Sequence, residues 1–290
     1  MKSSFKSIYN KIPFKKNLFL FLRRFDFPEK IFRHLYFEDV FEVEFKPYKF
    51  LIQHYGFQLE NEIFWKGLTS GWEKISIQLW IELSKKSDSI LDIGANTGIY
   101  SLISKAVNPN SSVYAFEPVN RVFDKLYSNV NLNNYPIKCY NYALSNKDGE
   151  AVFYDTMTPH IYSVAINKNI SGIKDVVSVK VETKRLSTFI EKENIKKIDL
   201  IKIDVETHEP EVLEGMEEYL ALFKPTLLIE ILNDEIGNKI QELIKNIDYL
   251  YFNIDEIGLP QRVAKIEKSK YYNYLICSED IARQLNLIEK

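Results

Sequence analysis

Apolar residues cluster in short runs at 90–93, 113–116, 137–142, 200–205 and 226–231, and between most of them they recur every three or four positions. Short apolar runs predict buried strands and the three-to-four spacing predicts helices, so strand and helix alternate from residue 90 onward. That order specifies an α/β fold, a doubly wound and mostly parallel sheet. A helix over 75–83 leads into the first strand. Between the third and fourth strands, 151–154 and 176–181 alternate apolar and polar residues as an antiparallel β insertion would, divided by a looser stretch at 156–174. The dipeptide Asp148-Gly149 supplies a hairpin-type turn before it. Runs at 249–254 and 272–277 read as a closing strand pair. Residues 1–75, rich in aromatics, predict helices and loops packing on a core made by 76–290.

The turn after the first strand carries the most specific chemistry. Asp92 ends an apolar run, Gly94 permits backbone conformations that side chains resist, and Gly98 lets a following helix pack close to the sheet. The dinucleotide fingerprint needs three glycines, yet its second position here is Asn96 and its third is Ile99. A pyrophosphate therefore fits poorly. The second run ends in Glu117, an acid placed to accept hydrogen bonds from ribose hydroxyls. A nucleoside with an amino-acid tail and no phosphate meets these conditions, and S-adenosylmethionine (SAM) is such a molecule.

The turn Asp92-Ile93-Gly94-Ala95-Asn96 is followed by Ala115-Phe116-Glu117-Pro118, then Ala143-Leu144-Ser145, Lys202-Ile203-Asp204-Val205-Glu206, a segment from Glu211 to Gly215, and another from Pro225 to Glu230. In order and spacing this series resembles the FkbM-type SAM-dependent methyltransferases over residues 72–230. The resemblance implies a class I methyltransferase fold. It also implies that Asp92, Gly94, Ala95, Asn96 and Gly98 shape the methionine end of the pocket, that Glu117 holds the ribose, that Ala143 lies near the adenine, and that Asp204 faces the reacting centre. Glu73 matches an acid common in the family, and it reads equally as a helix-start acid favoured by the helix dipole. Two positions depart from the family: Thr207 replaces a common glycine and Ser187 a common acid. Both are expected on the acceptor side.

Asp204 closes an otherwise apolar run, where a carboxylate is costly unless paired or functional. His208 has a near-neutral intrinsic pKa and suits a general base. Glu230 ends the next strand, so Asp204 and Glu230 are expected to converge, with Glu230 as an orienter. Such a pair also suits Mg²⁺, although a metal-free site is the favoured reading. Glu209 and Glu211 are accounted for by the positive end of a helix. His34, His54 and His160 lack recognisable partners and read as structural or surface residues. The resemblance, taken with these residues, implies methyl transfer to a hydroxyl of a sugar, a glycan or a related metabolite, as in polysaccharide biosynthesis. An NAD-type oxidoreductase and a non-catalytic SAM-binding protein are the alternatives.

Composition narrows the partners. A hydrophobic content of 46% in 290 residues fills a substantial core, and a net charge of −2 argues against nucleic acid. The two cysteines, Cys139 and Cys277, lie far apart in apolar settings and read as inert thiols of a cytoplasmic protein. Residues 1–30 carry eight Lys or Arg against Asp26 and Glu29, interleaved with phenylalanines. The longest apolar run there is too short for a signal peptide or a membrane span. The segment suits the surface of an anionic membrane, with a solvated chain end as the preferred reading.

Overall fold

The structure, a computed structural model, describes residues 14–25, 27–156 and 176–289. The first thirteen residues of the basic segment, Asp26 and the stretch that contains His160 lie outside the described residues. The chain divides into two units, Met1–Trp72 and Glu73–Lys290.

In the first unit, α1 (Lys15–Leu22) and α2 (Glu29–Phe32) precede a hairpin of β1 (Glu38–Phe45) and β2 (Tyr48–Tyr55), followed by α3 (Gln58–Lys66). The hairpin corrects the expectation of helices and loops alone. Phe41, Val43 and Phe45 alternate with Glu42 and Glu44, a period-two signal obscured by the abundance of aromatics around it. The buried face carries Phe41, Val43, Phe50 and Ile52, and Phe41 meets Phe64 of α3 edge-on at 5.4 Å. His54 is buried here as well. Its Nδ1 accepts from Gly56 N at 3.0 Å, and burial lowers its pKa to about 4, so it is a neutral structural residue as expected.

The second unit is built on parallel strands that are apolar on both faces, as strands covered by helices on either side require. They are β3 (Ser89–Ile93), β4 (Ser112–Phe116), β5 (Ile137–Tyr140), β9 (Leu200–Ile203) and β10 (Thr226–Glu230). The closing pair adds antiparallel β11 (Leu250–Asn253) and β13 (Asn273–Cys277), and a short β12 (Gln261–Val263) extends the edge. The sheet order is β12-β11-β13-β10-β9-β3-β4-β5. The chain runs outward from β3 through β4 to β5 and returns to β9 on the other side of β3. The strand order thus reverses between β3 and β9, and the crevice beyond their carboxyl ends is where such sheets bind ligands.

The helix α4 (Lys74–Ser84) packs on α5 (Ile99–Val107), with fully buried Trp80 donating from Nε1 to Tyr100 O at 3.0 Å and to Ser104 Oγ at 2.8 Å. The expected insertion is a separate sheet in the order β6-β8-β7, from β6 (Ala143–Ser145), β7 (Gly149–Thr156) and β8 (Val176–Arg185). Its β7 and β8 are antiparallel. Three more helices complete the frame of the site: α6 (Asn120–Leu132), α7 (Leu186–Lys192) and α8 (Glu209–Glu214).

Candidate active site

A cleft partly open to solvent lies at the carboxyl ends of β3, β4 and β9. Its walls include Gly94, Asn96, Glu117, Ala143, Asp204 and His208.

One end is shaped by backbone. Gly94 has φ +78°, and a Cβ there would stand 1.9 Å from the carbonyl oxygen of Asp204, so no side chain fits without moving the next strand's end. Gly94 N and Ala95 N both donate to Phe116 O, at 3.0 and 2.9 Å, locking the turn to β4. Asn96 is also left-handed, φ 52°, a conformation asparagine tolerates better than most residues. Its N–H donates to Glu117 Oε2 at 3.2 Å, while Glu117 Oε1 accepts from Val119 N at 3.0 Å. These two bonds fix a largely buried carboxylate on the cleft wall, and a carboxylate has about four acceptor sites in all. Asn96 Oδ1 is buried with no hydrogen-bond partner, a vacancy that a polar ligand group would fill. Ala143 and Phe153 form an apolar patch with Val181 on the insertion sheet, suited to the face of a base. The acid, the Asn96 side chain and the apolar patch fit SAM, and among the described residues the N–H groups of Gly94, Ala95 and Asn96 in this turn are bonded within the protein rather than left to cradle a diphosphate.

The other end is shaped by charge. Asp204 follows β9, and Lys202 Nζ donates to its Oδ2 at 2.8 Å. Glu230 ends the neighbouring strand, in register with β9 through the pair Ile203 and Ile229, but it lies behind Asp204 rather than in the cleft lining. Burial, reinforced by the charges of Asp204 and Glu206, pushes the Glu230 carboxyl up to about 9. It therefore holds a proton at neutral pH. His208 Nε2 is within hydrogen-bond distance of Ser145 Oγ at 2.9 Å, which orients the ring, and its Nδ1 faces Glu211 Oε2 at 3.4 Å without a hydrogen bond. Burial lowers its pKa, against the opposing pull of Glu211 and Glu214, and favours the neutral imidazole that a base requires. Among the described residues, no three His, Cys, Asp or Glu side chains are grouped to hold a metal ion.

Several residues lie elsewhere than the sequence placed them. Asp92 sits beneath the cleft, where its Oδ2 accepts from Ser101 N at 2.9 Å and Ser101 Oγ at 2.6 Å and ties β3 to α5. Gly98 is also underneath, at φ +91°, where a Cβ would press on Leu126 at 2.6 Å. Glu73 does not cap α4, a task taken by Glu256, which accepts from Ile75 N at 2.7 Å. It instead accepts from the Tyr100 hydroxyl, near Lys202 and Asp204. Ser187 is off the cleft wall, buried at the start of α7, with its N–H donating to Gly215 O at 2.7 Å. Glu209 is not a solvated helix-start acid. It is fully buried, and its Oε1 accepts from Val205 N at 3.2 Å and Thr207 N at 3.1 Å, clasping the turn between β9 and α8. In that turn Glu206 has φ 52° and Thr207 φ 82°. The family's usual glycine is thus explained by a conformation that a β-branched residue adopts only under strain.

Sequence reasoning missed Lys202, Ser145 and Phe153 as site residues. Lys202 was signalled by a lone cation in an apolar run, and Phe153 by the alternation that puts it on the face of Ala151. Ser145 left no signal, because its partner is 63 positions away.

Strand ends, a glycine turn, an acid just beyond β4 and protonatable groups beyond β9 together define a nucleoside-cofactor site of the class I methyltransferase kind. The chain belongs to the family described as Methyltransferase FkbM domain, whose match covers residues 92–253. Methyltransferase 1 of Beauveria bassiana is 32% identical over 145 residues, covering 44% of this chain and 58% of that protein. The hexuronic acid methyltransferase AglP of Haloferax volcanii is 28% identical over 148 residues, covering 51% of this chain and 58% of that protein. A solved SAM-dependent methyltransferase from Agrobacterium tumefaciens is similar at 14% identity and a TM-score of 0.46, covering 84% of this chain and 71% of that one. The chain thus spans somewhat over half the length of the two sequence relatives.

Proposed function

We propose that this chain is a SAM-dependent O-methyltransferase whose acceptor is a hydroxyl of a sugar, a glycan or a related metabolite. The observation that carries the reading is one cleft with Asn96 and Glu117 at one end and Asp204 and His208 at the other. Glu117 would hold the ribose, Asn96 the amino-acid tail, and Ala143 and Phe153 the adenine. SAM supplies an already activated methyl group, so the protein's task is to place the acceptor oxygen and receive its proton. Asp204 orients the hydroxyl, neutral His208 takes the proton, and protonated Glu230 donates a hydrogen bond beside them. Orientation contributes the larger share, since well-placed reactants gain roughly 7–11 kcal/mol against about 10²–10⁴-fold for a general base. The name of the Haloferax relative, a hexuronic acid methyltransferase, supports a sugar acceptor.

The test is transfer of a labelled methyl group from SAM to glycans and free sugars, alongside calorimetry with SAM and NAD(H). Labelled sugar product and binding of SAM alone are expected. Tight NAD binding without SAM binding would replace the reading with an oxidoreductase.

We also propose weak association of residues 1–30 with anionic membranes. Phe14, Leu18, Phe21 and Phe25 are exposed among cations, and no described helix is long and apolar enough to cross a membrane. Equal sedimentation with anionic vesicles of the full chain and of a chain lacking residues 1–30 would remove this idea.

A further inference from the structure

Lys202 lies within β9 among Leu200, Ile201 and Ile203, and only 4% of its surface is exposed. An ammonium there loses hydration worth several kcal/mol and persists only with partners of good geometry. Its Nζ donates to Asp204 at 2.8 Å and stands 4.6 Å from the centroid of the Tyr100 ring. The hydroxyl of that same Tyr100 donates to Glu73, which fixes the ring from its far end. On β3 the residue in register with Lys202 is Asp92, itself held by Ser101. Burial works to lower the Lys202 pKa, and Asp204, Glu73 and Asp92 more than reverse it, so the ammonium stays charged. Its one hydrogen bond is to Asp204, on the cleft wall, while the Tyr100 ring and the charges of Glu73 and Asp92 surround it from outside the cleft.

We propose that Lys202 is a positioning residue for the acceptor end of the cleft: anchored by the Tyr100 ring and by Glu73 and Asp92, its ammonium holds the Asp204 carboxylate on the wall beside Glu230. This rests on the reading that Asp204 faces the acceptor. Lys202 touches neither cofactor nor acceptor. Its role differs from simple neutralisation of Asp92, because neutralisation requires only a charge, whereas positioning requires the bond to Asp204.

The experiment compares the full chain carrying Asp92→Asn with the double variant Asp92→Asn/Lys202→Met. Removing one charge of each sign keeps the buried cluster balanced and guards against loss of fold in Lys202→Met alone. Relative to Asp92→Asn, the double variant is expected to bind SAM within about threefold and to lose kcat by about 10²-fold, the scale of a misplaced reacting group. Adding Asp204→Asn should then cost no more than about a further twofold, because residues acting through one contact are not additive. A double variant that turns over within about threefold of Asp92→Asn, or a full additional loss on adding Asp204→Asn, overturns the proposal. Crystal structures of the two variants give an answer that does not depend on activity. A displaced Asp204 carboxylate supports the positioning role even if no sugar is methylated, and an unmoved one refutes it.

Discussion

At one end of the cleft the chain places backbone: Gly94 and Asn96 bend away from β3, and two N–H groups hold Glu117 in position. At the other it places charge: Lys202 of β9 pairs with Asp204 just beyond it, burial raises the Glu230 carboxyl at the end of β10, and His208 lies against Ser145 and Glu211. The first kind of construction is set by local conformation and leaves little freedom for change. The second depends on the sum of several electrostatic terms, so one substitution alters the balance for every neighbour. Binding and turnover should therefore respond to different mutations.

The largest effect expected is on pH dependence at the charged end. Burial raises the Glu209 carboxyl from the ordinary 4.5 to about 7. Because the folded value lies above the unfolded one, the stability linked to protonated Glu209 is complete below pH 4.5 and is lost as pH rises through 7. Glu209→Gln keeps an oxygen for the Val205 and Thr207 N–H groups and cannot ionise. Urea unfolding at pH 5 and pH 8 should show the wild type losing up to about 3 kcal/mol more than the variant between the two. Equal pH dependence would mean that Glu209 is not a strained buried acid.

At the backbone end, Glu117→Ala should weaken SAM binding by roughly 1.5–3 kcal/mol, the scale for hydrogen bonds to a charged group. Calorimetry on folded variant protein checks this, and unchanged affinity would remove Glu117 from the ribose site. The smallest effect belongs to the turn between β9 and α8. Thr207→Gly relieves a left-handed β-branched residue at the cost of backbone entropy, a net gain of roughly 0.5–1 kcal/mol in unfolding free energy. A loss of stability would show that the threonine side chain makes a contact outweighing the strain.

The same contrast explains how far the sequence could be read. The parallel strands, the insertion sheet and the closing pair were legible because each is a local pattern of apolar positions, and Gly94 and Glu117 were legible because a turn and a strand end announce themselves locally. That Asp204 and Glu230 are neighbours followed from two adjacent strands ending in acids, although only Asp204 lines the cleft. What stayed hidden was set by partners distant in the chain. Glu209 looks like any helix-start acid until its burial is known, Asp92 and Ser187 look like cleft residues until the helices cover them, and the anchoring of Lys202 needs Tyr100, Glu73 and Asp92 in place. The β1–β2 hairpin was hidden differently, since its alternation was present but lay among aromatics that suit helix and loop as well.

The division of labour between the two ends is tested most directly by measuring SAM affinity and methyl transfer on one protein, Asp204→Asn. Asparagine keeps the size of the side chain and removes the charge that pairs with Lys202. The account predicts SAM binding within about threefold of wild type, with methyl transfer reduced about 10²-fold or more. Full turnover in this variant, or loss of SAM binding in parallel with turnover while the protein remains folded, would contradict it.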